Sequence, residues 1–320
     1  MSRSRSTPQS KQTPRRAAFD QAPGSARVAP PPTVSGRWLL SALGIVIVAA
    51  AVCCWGAVCA LFWQGSWQLL YHPTARVMRT PANAGLSFEN VGFAVTESGQ
   101  PLLVGWWIPA DPDAPFRRFT VLYLHGGDGN LGDAVDPLAT LHAAGVNVFA
   151  FDPRGYGQSV FAHPSEASLR QDAESALAYL TGARHIAPDS IVLCGQGLGA
   201  DLALETGAAH PELGGVIVRD PIPDAANAIF NDARARLVPA HFLVRDRYDL
   251  NAPVAAMRIP SLWLFSHVQP GGSPTPPQAF QQVTSRKMIV WISDETTEMK
   301  QFSDSVTRWL EELPGSQPSR

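Results

Sequence analysis

An alternation of strand and helix patterns over residues 81–313 predicts an α/β fold: a mainly parallel sheet flanked by helices, carried behind an N-terminal transmembrane helix. Three observations predict it. Short apolar runs bounded by turn residues recur along this region, and several are nearly continuous, as strands covered on both faces must be. Helical patterns separate the later runs. A charge-free run at 38–63 stands outside this rhythm and exceeds the roughly 20 apolar residues that cross a hydrocarbon core.

Residues 1–37 are a different kind of chain. Arg3, Arg5, Lys11, Arg15, Arg16, Arg27 and Arg37 face a single acid, Asp20, among prolines at 8, 14, 23 and 30–32. Too little apolar surface is present to offset the entropy of ordering, so a disordered basic tail is expected. The span at 38–63 follows, with Trp38, Trp63 and Trp67 at its edges, where amphipathic rings favour the interface. A cleaved signal peptide would carry an apolar core of about 7–15 residues. Val58-Cys59-Ala60 offers small residues for cleavage, but the run is much longer, so the reading is a signal anchor. Seven basic residues precede the span, and only Arg76 and Arg79 follow it closely. The positive-inside rule then makes this a single-pass protein with a cytoplasmic N-terminus and a periplasmic or otherwise extracytoplasmic C-terminal domain. A juxtamembrane linker is expected over 64–80.

Within the domain at 81–313, strands are expected at 102–108, 119–124, 146–151, 191–194, 215–218, 262–265 and 288–292. Helices are expected at 133–144, 166–181, 198–209, 277–284 and 298–313. The early region 87–108 contains no helix and reads as an antiparallel edge. Residues 222–258 break the rhythm with a long insertion of weak helical character at 225–237. Such excursions over the ends of strands often form a cap. Residues 314–320 are a short tail.

Composition excludes more than it assigns. The 320 residues are 45% hydrophobic and 16% charged, enough for a sizeable core, with a formal net charge of −2. No basic stripe suggests nucleic acid. Of four cysteines, Cys53, Cys54 and Cys59 lie in the span and Cys194 in an expected core strand. None is placed for a disulfide framework, and no metal-ligand spacing is present. No metal and no cofactor are expected.

Three strings concentrate the chemistry: Leu124-His125-Gly126-Gly127-Asp128-Gly129-Asn130, Phe151-Asp152-Pro153-Arg154-Gly155-Tyr156-Gly157-Gln158-Ser159, and the strand-turn-helix at 191–200. In this order they resemble the α/β-hydrolase superfamily, and within it the membrane-anchored branch of serine-peptidase or lysophospholipase-like hydrolases, over roughly residues 71–313. The resemblance implies a nucleophile elbow, Gly-x-Ser-x-Gly, at the third string. The frame Gly195-Gln196-Gly197-Leu198-Gly199 is intact, but its centre is Gly197, which has no side chain to attack a carbonyl. The oxyanion donors that the resemblance implies are the N–H groups of Gly127 and Leu198, and backbone donors survive the loss of a side chain. His125, Asp152 and Arg154 are expected to support their loops.

The resemblance also places an acid after the strand at 262–265, where Gln269 stands, and a histidine after 288–292, where Thr297 stands. No histidine follows His267. The emptied slots Gly197, Gln269 and Thr297 argue against a serine-hydrolase mechanism. Loss of a triad nucleophile alone costs about 10⁶ in turnover. The expected function is therefore a catalytically dead binding or scaffolding module. Its partners would be the membrane and either an acyl or peptide-like ligand or a membrane protein. The alternative is an active ester or amide hydrolase with a relocated set: Asp220 after the strand at 215–218, with Ser266 and His267 at the neighbouring strand end.

Overall fold

One sheet of eight strands organises the protein in a computed structural model that describes residues 34–95, 99–222, 225–266, 278–292 and 297–315. In chain order its strands are β1 (Glu89–Val95), β2 (Pro101–Ile108), β3 (Thr120–Leu124), β4 (Asn147–Asp152), β5 (Ile191–Gln196), β6 (Gly215–Arg219), β7 (Ser261–Ser266) and β8 (Lys287–Ile292). Their order across the sheet is β1-β2-β4-β3-β5-β6-β7-β8. β2 pairs antiparallel with both β1 and β4, and every later pairing is parallel. This is the mainly parallel sheet with an antiparallel edge that the sequence predicts.

The helices are α1 (Gly36–Gly65), α2 (Val135–Ala143), α3 (Glu166–Ala178), α4 (Leu198–Ala209), α5 (Ala225–Phe230), α6 (Ala240–Leu243), α7 (Asn251–Ala256), α8 (Gln278–Gln282) and α9 (Glu298–Glu311). Alternate residues of β5 feed two cores. Ile191 and Leu193 join the core that contains α3, α4 and α7, while Val192 and Cys194 join the one that contains α2 and α9. That split follows from the two-residue period of a strand. α9 buries Phe302, Val306, Trp309 and Leu310, a spacing that puts all four on one helical face. α3 starts at a capping box in which Ser165 Oγ accepts the Ser168 N–H at 3.2 Å and Ser168 Oγ accepts the Ser165 N–H at 2.9 Å, satisfying two donors that the helix start leaves open.

The chain forms two compact units, residues 1–53 and 54–320. In the first, the described residues are helical from Gly36 onward. Among the described residues, one helix is long and apolar enough to cross a bilayer, Gly36–Leu69, whose most apolar 18-residue stretch has a mean hydropathy of 2.6. None of the residues of α1 is buried.

In the second unit, the stretch read from sequence as a linker is anchored to the fold at Leu70–Pro73. Leu70 and Tyr71 are buried. His72–Pro73 pairs in parallel with Asp128–Gly129. The Tyr71 hydroxyl donates to Asp246 Oδ2 at 3.0 Å and lies 2.9 Å from the Tyr248 hydroxyl. These partners come from the insertion at 222–258, too far along the chain for local sequence to reveal them. The insertion itself contains α5, a 3₁₀ turn at Ala233–Leu237, α6 and α7.

Candidate active-site cleft

β3 and β5 are neighbours, but the chain leaving β3 returns on one side of it and the chain leaving β5 returns on the other. A crevice opens at such a switch point, outside the carboxyl ends of the strands. The loops following β3 and β5 therefore meet, and they carry the first and third strings.

The turn after β5 keeps the shape of an elbow. Gly197 has φ +57° and ψ −126°, a region that costs an L-residue strain and glycine little. Its N–H donates to the Arg219 carbonyl at 3.1 Å. The flanking glycines are there for contact. A Cβ on Gly195 would stand 2.1 Å from the Gly199 carbonyl oxygen, and one on Gly199 would stand 2.1 Å from the Leu124 carbonyl oxygen. A Cβ on Gly197 would meet only Ile222 Cδ1, at 3.8 Å. A side chain thus has room at the apex and nowhere else in the frame.

The loop after β3 is pinned from three sides. The Gly127 carbonyl accepts the His72 N–H and the Tyr156 hydroxyl, each at 2.9 Å. Asn130 Nδ2 donates to Thr74 Oγ1 at 2.6 Å and to the Arg76 carbonyl at 3.0 Å. A Cβ on Gly127 would lie 2.8 Å from Leu198 Cδ1, so the two residues expected to supply oxyanion donors are in contact range. Leu198 opens α4, where helical N–H groups have no partner inside the helix.

His125 is buried beneath this loop. Its Nδ1 lies 2.8 Å from the Gly126 carbonyl, which assigns the ring proton to Nδ1. Nε2 faces Asp152 Oδ1 at 3.5 Å and has no hydrogen-bond partner. Asp152 Oδ1 instead accepts the Leu131 N–H at 2.9 Å. Arg154 donates from its backbone N–H and its Nε to the buried Asp172, at 2.8 and 2.7 Å. Both residues of the second string brace loops.

A cavity of about 450 Å³ lies between these loops, the segment at 69–72 and the insertion, bordered by Leu69, His72, His125, Gly127, Gly197 and Ile222 among others. Its described lining contains no serine, threonine or cysteine. Its one hydroxyl is that of Tyr123, whose pKa burial pushes above the usual phenol range. An imidazole–carboxylate pair stands at the rim, His72 Nδ1 to Asp128 Oδ1 at 2.6 Å, with both side chains exposed. Cys194 faces away into the core, and burial raises its thiol to about 12.

The other described sequence-derived candidates, Thr297, Asp220 and Ser266, fall outside that cavity. Gln269 and His267 lie outside the described residues. Thr297 caps α9, and its hydroxyl accepts from Gln301 Nε2 at 2.8 Å. Asp220 Oδ1 accepts the backbone N–H of Ser266 at 2.7 Å, while the Ser266 hydroxyl donates to Glu298 Oε1 at 3.1 Å. Arg219 pairs with the same Glu298 oxygen. Asp220 Oδ2 and the Ser266 hydroxyl lie 3.7 and 3.4 Å from Arg219 Nε, so both belong to one network joining β6, β7 and α9, in which the hydroxyl donates to Glu298 and not to Asp220. Asp220 holds φ +47°, a strained value for a residue with a side chain.

Sequence reading missed Asp201, on the first turn of α4. It is fully buried; Oδ1 accepts the Ile222 N–H at 3.0 Å, and Oδ2 has no partner. Burial pushes its pKa up to about 8. The available signal was a lone acid in the otherwise small and apolar stretch 198–204. Among the described residues, no group of three or more His, Cys, Asp or Glu side chains could hold a metal.

Comparison with known proteins agrees with this architecture. A family profile described as serine aminopeptidase, S33, matches residues 117–302, more than half of the chain. The uncharacterized protein YfhR of Salmonella typhi is 30% identical over 196 residues, covering 58% of this chain and 65% of YfhR. The chain thus spans a little under two thirds of that relative. Protein bem46 of Schizosaccharomyces pombe is 30% identical over 42% of this chain and 44% of its own length. Among solved structures, the Pyrococcus furiosus esterase Pf2001 superposes with a TM-score of 0.57 at 17% identity, covering 77% of this chain and 98% of the esterase. An α/β hydrolase from Vibrio vulnificus superposes with a TM-score of 0.54 at 20% identity, covering 71% and 82%. At these identities the structures speak for the fold alone.

Proposed function

Because the chain belongs to the S33 serine aminopeptidase family of α/β-hydrolases, we propose that it is a membrane-tethered member without serine-hydrolase chemistry, acting as a binding or scaffolding module. One observation carries this reading: the elbow retains its shape around Gly197, and no alcohol or thiol of the ordinary nucleophile types is present in the described cavity lining. The cleft keeps what binding needs. It has a substantial volume, apolar walls, and the Gly127 and Leu198 backbone at the place where a carbonyl or carboxylate oxygen would be held. An acyl or peptide-like ligand suits that combination. The helix over 36–69 serves as a signal anchor. The charge asymmetry of its flanks supports a cytoplasmic N-terminus and an extracytoplasmic domain.

The test is labelling of the full-length protein in membranes with a fluorophosphonate probe, alongside ester turnover. No labelling and no turnover above background are expected. Covalent labelling overturns the reading, as does turnover abolished by Ser266→Ala or His267→Ala; the latter result establishes the relocated hydrolase instead.

A further inference from the structure

Around the C-terminal part of α1, the insertion presents an apolar and basic rim that the fold leaves uncovered. Leu237 is 65% exposed and Phe242 90%. Phe161, exposed to 85%, stands edge-on to His163, which stacks on Trp67 at 4.8 Å. Beside them is a groove of about 260 Å³ bordered by Val58, Leu61, Phe62, Leu69, Arg234 and Leu237. Arg234, Arg236, Arg245 and Arg247 are exposed on the same segment, against Asp232 and Asp246. The Arg245 guanidinium lies 4.8 Å over the Trp63 ring.

One hydrogen bond sets the level of this rim. A hydrocarbon core takes about 20 helical residues, so a span beginning at Trp38 runs out near Val58. Trp55 therefore lies within a turn of the end of that roughly 20-residue minimum, with Trp63 and Trp67 beyond it at the edge of the apolar run, and its Nε1 donates to the Leu237 carbonyl at 3.1 Å. The insertion touches the helix where lipid gives way to headgroups. Exposed Leu and Phe beside Trp and Arg are what that layer accommodates: apolar tips enter the acyl boundary and guanidinium groups stay with phosphates.

We propose that the 233–245 segment, with Phe161, is a membrane-docking face that rests on the bilayer interface and prefers anionic phospholipid. The inference depends on α1 being a membrane span and adds a second contact, made by the domain itself. Three lines favour lipid as the occupant. The face is continuous with the helix end, Leu237 borders the groove with Val58 and Leu61, and over residues 232–247 four arginines stand against Asp232 and Asp246.

The test uses the full chain in nanodiscs of phosphatidylcholine, with and without phosphatidylglycerol, after replacing Cys53, Cys54 and Cys59 by alanine; Cys194 is buried and does not label. Spin labels are placed singly at Val48→Cys within the span, Phe242→Cys on the face, and Asp189→Cys, which precedes β5 at the opposite end of the sheet. Collision with oxygen and with a water-borne nickel chelate is then measured. Position 242 is expected to lose chelate collisions and gain oxygen collisions relative to 189. It should move deeper when phosphatidylglycerol is added, and Arg234→Gln with Arg236→Gln should remove that shift. If 242 behaves as 189 does while 48 remains in lipid, the docking face is refuted and the tether stands. If 48 is also aqueous, the tether reading falls and the docking face falls with it. Protection of 242 in native membranes but not in nanodiscs also overturns the proposal, in favour of a protein partner.

Discussion

Replacing Gly197 by alanine isolates the conformation of the elbow from its chemistry. The added methyl meets only Ile222 Cδ1 at 3.8 Å, an ordinary contact, so no steric term opposes it. What remains is the backbone: φ +57° and ψ −126° cost an L-residue roughly 1–3 kcal/mol. For a domain of this size each kcal/mol moves the melting temperature by about 2–4 °C, so a fall of a few to about ten degrees is expected. The companion change is Gly195→Ala, whose methyl would stand 2.1 Å from a backbone oxygen and 2.7 Å from a backbone nitrogen of α4. Backbone cannot step aside as a side chain can, so this variant should lose clearly more stability than Gly197→Ala. Thermal and urea unfolding of the detergent-solubilised full chain, followed by tryptophan fluorescence, measure both. Equal stability of Gly197→Ala and the parent would mean the turn has relaxed out of the left-handed region. A Gly195→Ala variant as stable as Gly197→Ala would show that α4 does not press on β5 as described.

Asp201 gives a pH test. Its folded pKa, raised to about 8, lies above its unfolded value near 4. The folded state therefore keeps a proton that the unfolded state has released, and stability falls as pH rises from about 4 to 8. Asp201→Asn should flatten that slope and be the more stable protein at pH 8, as read by urea midpoints across the range; an unchanged slope counts against a buried neutral acid. Arg154→Ala leaves the buried Asp172 carboxylate without its guanidinium, an expected loss of about 3–5 kcal/mol at pH 7. That loss should shrink in acid and be largely rescued by adding Asp172→Asn, and a pH-independent loss without rescue would show the contribution is packing. Tyr71→Phe removes the hydroxyl that joins Asp246 and Tyr248, an expected cost of about 1–3 kcal/mol. It should also speed protease cleavage in the 238–250 segment; unchanged cleavage would mean the tie does not hold the insertion down.

Much of this architecture was legible because it is written locally. Buried strands such as 191–194 and 215–218 announce themselves by unbroken apolar runs, and α4 begins where Leu198 follows the elbow glycines. The glycines at 195 and 199 mark close approach. What sequence could not show depends on distant partners. Tyr71 reads as the end of a linker until Asp246 and Tyr248 meet it. Arg219, Ser266 and Glu298 come from three elements, and only the fold makes them one network. The relocated set illustrates the same limit: Asp220 and Ser266 are indeed neighbours, but their contact is carboxylate to backbone N–H, a distinction no spacing rule contains. Asp201 was hidden because a single acid in a helix ordinarily faces water.

The contact between Gly195 and α4, and that between Gly199 and the end of β3, have a consequence for how this scaffold holds its apex. Both lie beside the bend and not at it, so the close approach of β5 to α4 and of α4 to β3 is set by the neighbours of position 197. A side chain placed at 197 would extend toward Ile222, while the tightness of the bend would still rest on the residues on either side of it.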